Sequence, residues 1–125
     1  MELIIASQNQ NKLVEFKKIL GDKINLFSLS DIGLNQEIPE NEKTIKKNAM
    51  FKAKFVNTQT GKNVFADDTG LEIDSLNGEP GVYSARYSGV DRNSDKNIEL
   101  VLRKLKNKAN RNSRFKTIIC LLYTS

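Results

Sequence analysis

The chain has 125 residues, 38% of them hydrophobic and 28% charged, with a formal net charge of +5; these are the proportions of a single folded globular domain. It contains no histidine and one cysteine, which excludes a histidine-based triad, the HExxH zinc helix and a sulfur–imidazole zinc site. Acid–base chemistry must therefore fall to carboxylates, lysines or tyrosines, and any metal must be a hard, oxygen-bound ion such as magnesium or manganese.

The lone Cys120 reads as a small core residue of a reducing compartment, and a cytoplasmic location is expected. No apolar run approaches the ~20 residues of a membrane span, and "MELIIASQNQ" carries no secretory signal. The positive charge is concentrated late. Arg103, Lys104, Lys106, Lys108, Arg111, Arg114 and Lys116 follow residue 100 with no acid among them. Only Phe115 among the aromatics lies near this run, so it reads first as a solvated helix face and linker, with a nucleic-acid surface the lesser alternative.

In chain order, "LIIA" at 3–6 is expected to be a buried strand. "SQNQN" follows, then "KLVEFKKIL", where Leu13, Phe16 and Leu20 share one helical face. Strand, polar loop and helix open an α/β unit. "INLFSL" at 24–29 is expected to form a second strand, trailed by a loop rich in acids. Thr44 is placed to cap a helix over 45–57 with Ile45, Ala49, Ala53 and Val56 as its apolar stripe. "NVFA" at 63–66 reads as a third strand ending at Asp67 and Asp68, before a brief extended "LEID" and the turn-rich "LNGEPG". Ser94 is expected to cap a helix over 95–107 whose buried face is Ile98, Val101, Leu102 and Leu105. A last strand, "FKTIICLLY", is apolar enough to require cover on both faces, and the few helices available leave its sheet unfinished.

The chemistry-bearing residues sit at the ends of these elements. Ser7, Asn9 and Lys12 surround a helix N-terminus, where backbone N–H groups and the dipole attract phosphate; the plainer alternative is that Asn9 or Asn11 caps the helix. Lys52 lies beside the stripe residues Ala49 and Ala53 and can lean inward toward an anion. Glu37, Glu40 and Glu42 precede the second helix, where acids suit the dipole or reach a metal. Adjacent Asp67 and Asp68 point to opposite faces if the strand continues, or form an Asx-type turn if it stops. Gly70 permits a tight turn, and Thr69 offers a hydroxyl to a phosphate.

Taken together, "ASQNQNKLVEFKKIL", "TIKKNAMFKAK" and "ADDTGLEIDSLNGEPGVYSARYSG" resemble, in order and spacing, the inosine triphosphate pyrophosphatase family, also called dITP/XTP pyrophosphatases, over residues 3–122. The resemblance implies an α/β fold with a mixed central sheet and flanking helices, in two lobes about a nucleotide cleft. It implies magnesium-dependent hydrolysis of ITP, dITP or XTP to the monophosphate and pyrophosphate, which keeps these nucleotides out of nucleic acids, and a homodimer. By position, Ser7, Gln8, Asn9, Gln10, Asn11 and Lys12 form the loop that holds the triphosphate. Lys52 corresponds to a phosphate-contacting lysine, and Glu40 to a metal-associated acid, with Glu37 as its rival. Asp68 corresponds to the metal-linked general base with Asp67 as its partner, and Thr69 to a substrate-contacting residue.

The chain departs from the family pattern at Gln8 and Asn11, where glycines are usual. The "FGYDP"-like and late "SHR"-like stretches that read the base are also absent, so residues 1–122 are expected to be the N-terminal portion of one such domain and 123–125 a foreign tail. Three alternatives remain beside this reading: a non-catalytic remnant that binds polyphosphate, a basic nucleic-acid module over 100–116, and a septum-inhibition (Maf-like) pyrophosphatase.

Overall fold

The computed structural model describes residues 1–123. In chain order it contains β1 (Glu2–Ile5), α1 (Gln10–Leu20), β2 (Asn25–Phe27), α2 (Ile45–Thr60), β3 (Val64–Ile73), β4 (Pro80–Gly81), α3 (Ser94–Leu105) and β5 (Ser113–Leu122), with short 3₁₀ turns between some of them. The expected foreign tail falls partly on residues 124 and 125, outside the described residues. Parallel and antiparallel pairs both occur, giving the mixed α/β sheet that was expected. None of the described helices is long and apolar enough to cross a membrane. Two compact units result, which share strands β3 and β5.

The first unit holds residues 1–42, 46–67 and the stretch from Ile119. Here β1 lies between β2 and β3, parallel to both, with Leu3 opposite Leu26, Ile4 opposite Val64 and Ile5 opposite Phe65. Side chains alternate across a strand, so the continuous apolar run of β1 serves two cores. Leu3 and Ile5 join Leu26, Phe65 and Leu13 of α1 on one face. Ile4 and Ala6 join Val64, Ala66 and the α2 residues Ala53 and Val56 on the other. Phe16 of α1 meets Phe65 edge to face with ring centroids 5.1 Å apart. Ile4 and Ile5 are essentially fully buried, and each contributes about 1.5–3 kcal/mol of burial free energy. Cys120 and Leu122 pack half-buried against the α2-side core, as a small apolar role for Cys120 requires.

The second unit comprises residues 43–45 and 68–118. Its strand pairing is antiparallel, with Leu71 of β3 opposite Gly81 of β4 and Glu72 opposite Pro80, which follows a cis peptide bond. Ser84 locks this hairpin: its Oγ accepts from the Leu71 N–H at 2.8 Å and donates to the Gly81 carbonyl at 2.6 Å. Asn97 of α3 accepts from the Ser88 N–H and hydroxyl and donates to the Ala85 carbonyl, so the helix is fastened by one amide side chain.

Four expectations change here. The third strand does not end at the aspartates but runs without a turn to Ile73. Gly70 accordingly does not turn the chain; it sits inside β3, where an added Cβ would run into the Gly81 carbonyl oxygen and lie 2.7 Å from Ile45 Cδ1. A backbone neighbour cannot swing aside, so Gly70→Ala is expected to lose about 1–3 kcal/mol of stability in a urea titration. Helix α3 starts at Ser94 and is capped by Asn93, whose side chain accepts from the Lys96 N–H. Its expected buried face is buried only at Leu105. Ile98 and Leu102 are more than half exposed, and with Leu71, Pro80 and Phe115 they line an open groove of about 440 Å³. Strand β5 is likewise uncovered on one side, where Phe115, Ile119 and Leu121 face solvent.

A polar tie crosses the second unit. The Tyr87 hydroxyl donates to Glu79 Oε1 at 2.7 Å, and Lys104 Nζ donates to the same hydroxyl at 2.9 Å while lying over the Tyr87 ring. The hydrogen bond from Tyr87, followed by the charge of Lys104, holds the Glu79 carboxyl below its ordinary value of 4.5. A carboxyl depressed in the fold stabilises it above the unfolded pKa, and this contribution is lost as pH falls through the folded value. Tyr87→Phe is therefore expected to lower the melting temperature at pH 7, with the gap from wild type narrowing below pH 4.5, as circular dichroism melts will show.

Candidate functional site

The carboxyl ends of β1 and β3 lie at the same edge of the first unit because the strands are parallel, and ligands of α/β sheets bind at such edges. The loop after β1 carries Ser7, Gln8, Asn9, Gln10, Asn11 and Lys12. Asn9 caps α1, its Oδ1 accepting from the N–H groups of Asn11 at 3.0 Å and Lys12 at 3.3 Å. Ser7 Oγ accepts from the Asn9 N–H at 3.1 Å. The expected free N–H groups at this helix start are thus partly taken by the loop's own side chains, and an anion would have to replace Asn9 at those donors. Gln8, at one of the positions where glycine is usual, is exposed and donates to the Gln36 carbonyl, tying this loop to the one before α2.

Alternation along β3 puts Asp67 on the same face as Phe65, the face covered by α1. Asp67 is 3% exposed, and its Oδ2 accepts from Lys12 Nζ at 2.8 Å. Lys52, buried on the inner face of α2, donates from Nζ to the Asp67 carbonyl oxygen at 2.6 Å. The same ammonium lies 3.6 Å from Glu40 Oε1. Two cations and two carboxylates from four separated stretches therefore meet at one strand end. Among the described residues, Asp67 Oδ1 is a buried side-chain oxygen with no hydrogen-bond partner.

Of the two acids considered for the metal, Glu40 is the one beside Lys52, while Glu37 is exposed. Asp68 and Thr69 open the second unit's share of β3; Asp68 is half-buried, and the Thr69 hydroxyl pairs with that of Thr117 at 2.8 Å. One contributor escaped the sequence reading. Asn48, 2% exposed on α2 and one turn before Lys52, accepts from the Glu42 N–H at 3.0 Å and so fixes the acidic loop. Its signal was available, since an asparagine one position before the stripe residue Ala49 has to find a partner when buried.

Among the described residues no three acidic, cysteine or histidine side chains gather closely enough to hold a metal by themselves. Magnesium does not need that, because it keeps waters and takes one or two carboxylates together with substrate phosphates. The hard oxygen donors here, and the orphaned Asp67 Oδ1 above all, fit such an ion.

Fold and site thus define a mixed α/β protein whose parallel sheet edge gathers lysines and carboxylates behind a polar strand–helix loop. The chain belongs to the Ham1 family, whose sequence profile matches residues 3–125. It is 50% identical over 121 residues to the dITP/XTP pyrophosphatase of Flavobacterium psychrophilum, covering 97% of this chain and 64% of that protein. Identity to the dITP/XTP pyrophosphatase of Bacillus subtilis is 45% over 123 residues, covering 96% and 62%. Among solved structures, the Staphylococcus aureus Ham1 protein matches with a TM-score of 0.90 at 36% identity, covering 98% of this chain and 64% of that one. A HAM1 protein from Coxiella burnetii matches with a TM-score of 0.92 at 35% identity, covering 99% and 64%. The chain therefore spans a little under two thirds of these relatives. The matches favour the inosine triphosphate pyrophosphatase resemblance over the Maf-like alternative.

Proposed function

We propose that the complete protein hydrolyses non-standard purine nucleoside triphosphates, ITP, dITP or XTP, to the monophosphate and pyrophosphate. The observation that carries this reading is the convergence of Lys12 and Lys52 on Asp67 beside the polar loop after β1. The names of its relatives support the substrate class. Lys12, Lys52 and the start of α1 hold the triphosphate and offset charge on the departing pyrophosphate. Glu40 and Asp68, with Asp67 as the partner of Asp68, would hold magnesium, which when bound would draw charge from the attacked phosphorus and acidify a water. Asp68 accepts the proton of the attacking water as the new P–O bond forms and the phosphoanhydride bond breaks. Asp67 positions this end of β3, and Thr69 contacts substrate. The protein works in the cytoplasm as a homodimer, and magnesium is its metal.

The test is pyrophosphate release by the complete protein from dITP, XTP and ATP. Release from dITP and XTP well above that from ATP, abolished by EDTA, is expected. Equal turnover of ATP, or none of dITP, would contradict the reading.

A further inference from the structure

We propose that the Lys12 ammonium holds the place of a divalent cation at Asp67, so that the metal gains this carboxylate only when a polyphosphate draws Lys12 away. The pair is asymmetric. Asp67 has a 5% exposed side chain and is pinned through its carbonyl by Lys52, whereas the Lys12 side chain is 31% exposed and free to swing from its stem. Lys12 also stands in the first turn of α1, where the helix dipole disfavours a cation. The contact that holds it there is the one at 2.8 Å to Asp67 Oδ2.

The other oxygen carries the argument further. Oδ1 is buried without a partner, an arrangement that costs the fold free energy unless something else fills it. The carboxylate is held in this orientation by its burial and by the Lys12 contact to Oδ2, which leaves Oδ1 without a donor. A divalent ion that shed water to reach Oδ1 would satisfy it, yet it would meet the Lys12 charge on the same carboxylate and be repelled. Polyphosphate oxygens bound at the loop after β1 would offer Lys12 a second partner and remove the conflict. Binding of metal and polyphosphate then strengthen one another by the same factor, as linkage requires.

This rests on the triphosphate reading of the site, so its test contains no nucleotide. Mn2+ alone is titrated into the complete protein, with free ion followed by electron paramagnetic resonance. Lys12→Gln keeps a neutral donor for Asp67 and is expected to bind Mn2+ at least roughly tenfold tighter than wild type once the competing charge is gone. Lys12→Met, which keeps the apolar stem, is expected to tighten binding likewise and serves if the glutamine variant does not fold. Lys12→Arg keeps the charge and stays near wild type. Adding Asp67→Asn to Lys12→Gln removes the gain. Unchanged or weaker Mn2+ affinity in folded Lys12→Gln or Lys12→Met, or a gain that survives Asp67→Asn, would overturn the proposal. Failure of wild type to turn over dITP would instead count against the proposed function, and the Mn2+ comparison would still be decided on its own readout.

Discussion

Asparagine in place of Asp68 is expected to lower dITP turnover by the complete protein by about 10²–10⁴-fold, the usual weight of a positioned general base. The amide has nearly the same shape, so the half-buried site next to the core strand pairing is kept. It cannot take the proton of the attacking water, and it is a poor ligand for magnesium. Melting of the variant is expected to stay close to wild type, which separates loss of chemistry from loss of fold. Hydrolysis within a few-fold of wild type would remove Asp68 from the role assigned to it.

Lys12→Ala has the second large effect, and it acts on stability as well as on binding. From the sequence, a lysine at a helix start looks dispensable to the fold, because the dipole disfavours it. The structure supplies the missing partner, a nearly buried carboxylate 2.8 Å away. Removing one member of a fully buried pair costs about 3–5 kcal/mol. With the Lys12 side chain 31% exposed, water can reach part of the gap, and about 2 kcal/mol is the expected loss in a urea titration. On the proposed function, affinity for triphosphate is expected to fall as well, because Lys12 is assigned there to hold the phosphates. An unchanged unfolding midpoint would show that the pair does not form.

How much of this was readable in one dimension follows from the kind of signal each element carries. β1 announces itself through an apolar run that both faces of the sheet use and α1 through a helical stripe that packs on one of them, and α2 begins at Ile45 as its stripe requires. β3 was cut short because Asp67, Asp68, Thr69 and Gly70 are poor strand formers taken singly. Pairing to β1 at one end and β4 at the other overrides that preference. The α3 cap moved one residue because Asn93 and Ser94 are both good caps, and only geometry chooses between them. The exposure of Ile98, Leu102 and Phe115 was hidden for a different reason: periodicity says which residues share a face, not whether anything covers it.

The site divides along the same line. Residue types and spacing raised the loop after β1, Lys52 and the aspartate pair as candidates, each with a plainer alternative, and only the family resemblance joined them into one site. The ion pair between Lys12 and Asp67 joins residues 55 apart in sequence, and no local pattern encodes it. Once β3 is known to continue, strand alternation alone puts Asp67 beneath α1. The adjacent aspartates then part company: Asp67 is the buried, lysine-held member, and Asp68 faces the other way.

The measurement that tests the central claim most directly is a crystal structure of the complete protein with magnesium and a non-hydrolysable dITP analogue. The account predicts phosphate oxygens against Lys12 Nζ and Lys52 Nζ, with the Asn9 side chain drawn off the N–H groups at the start of α1. A triphosphate bound away from this strand end, with Lys12 still on Asp67, would contradict it.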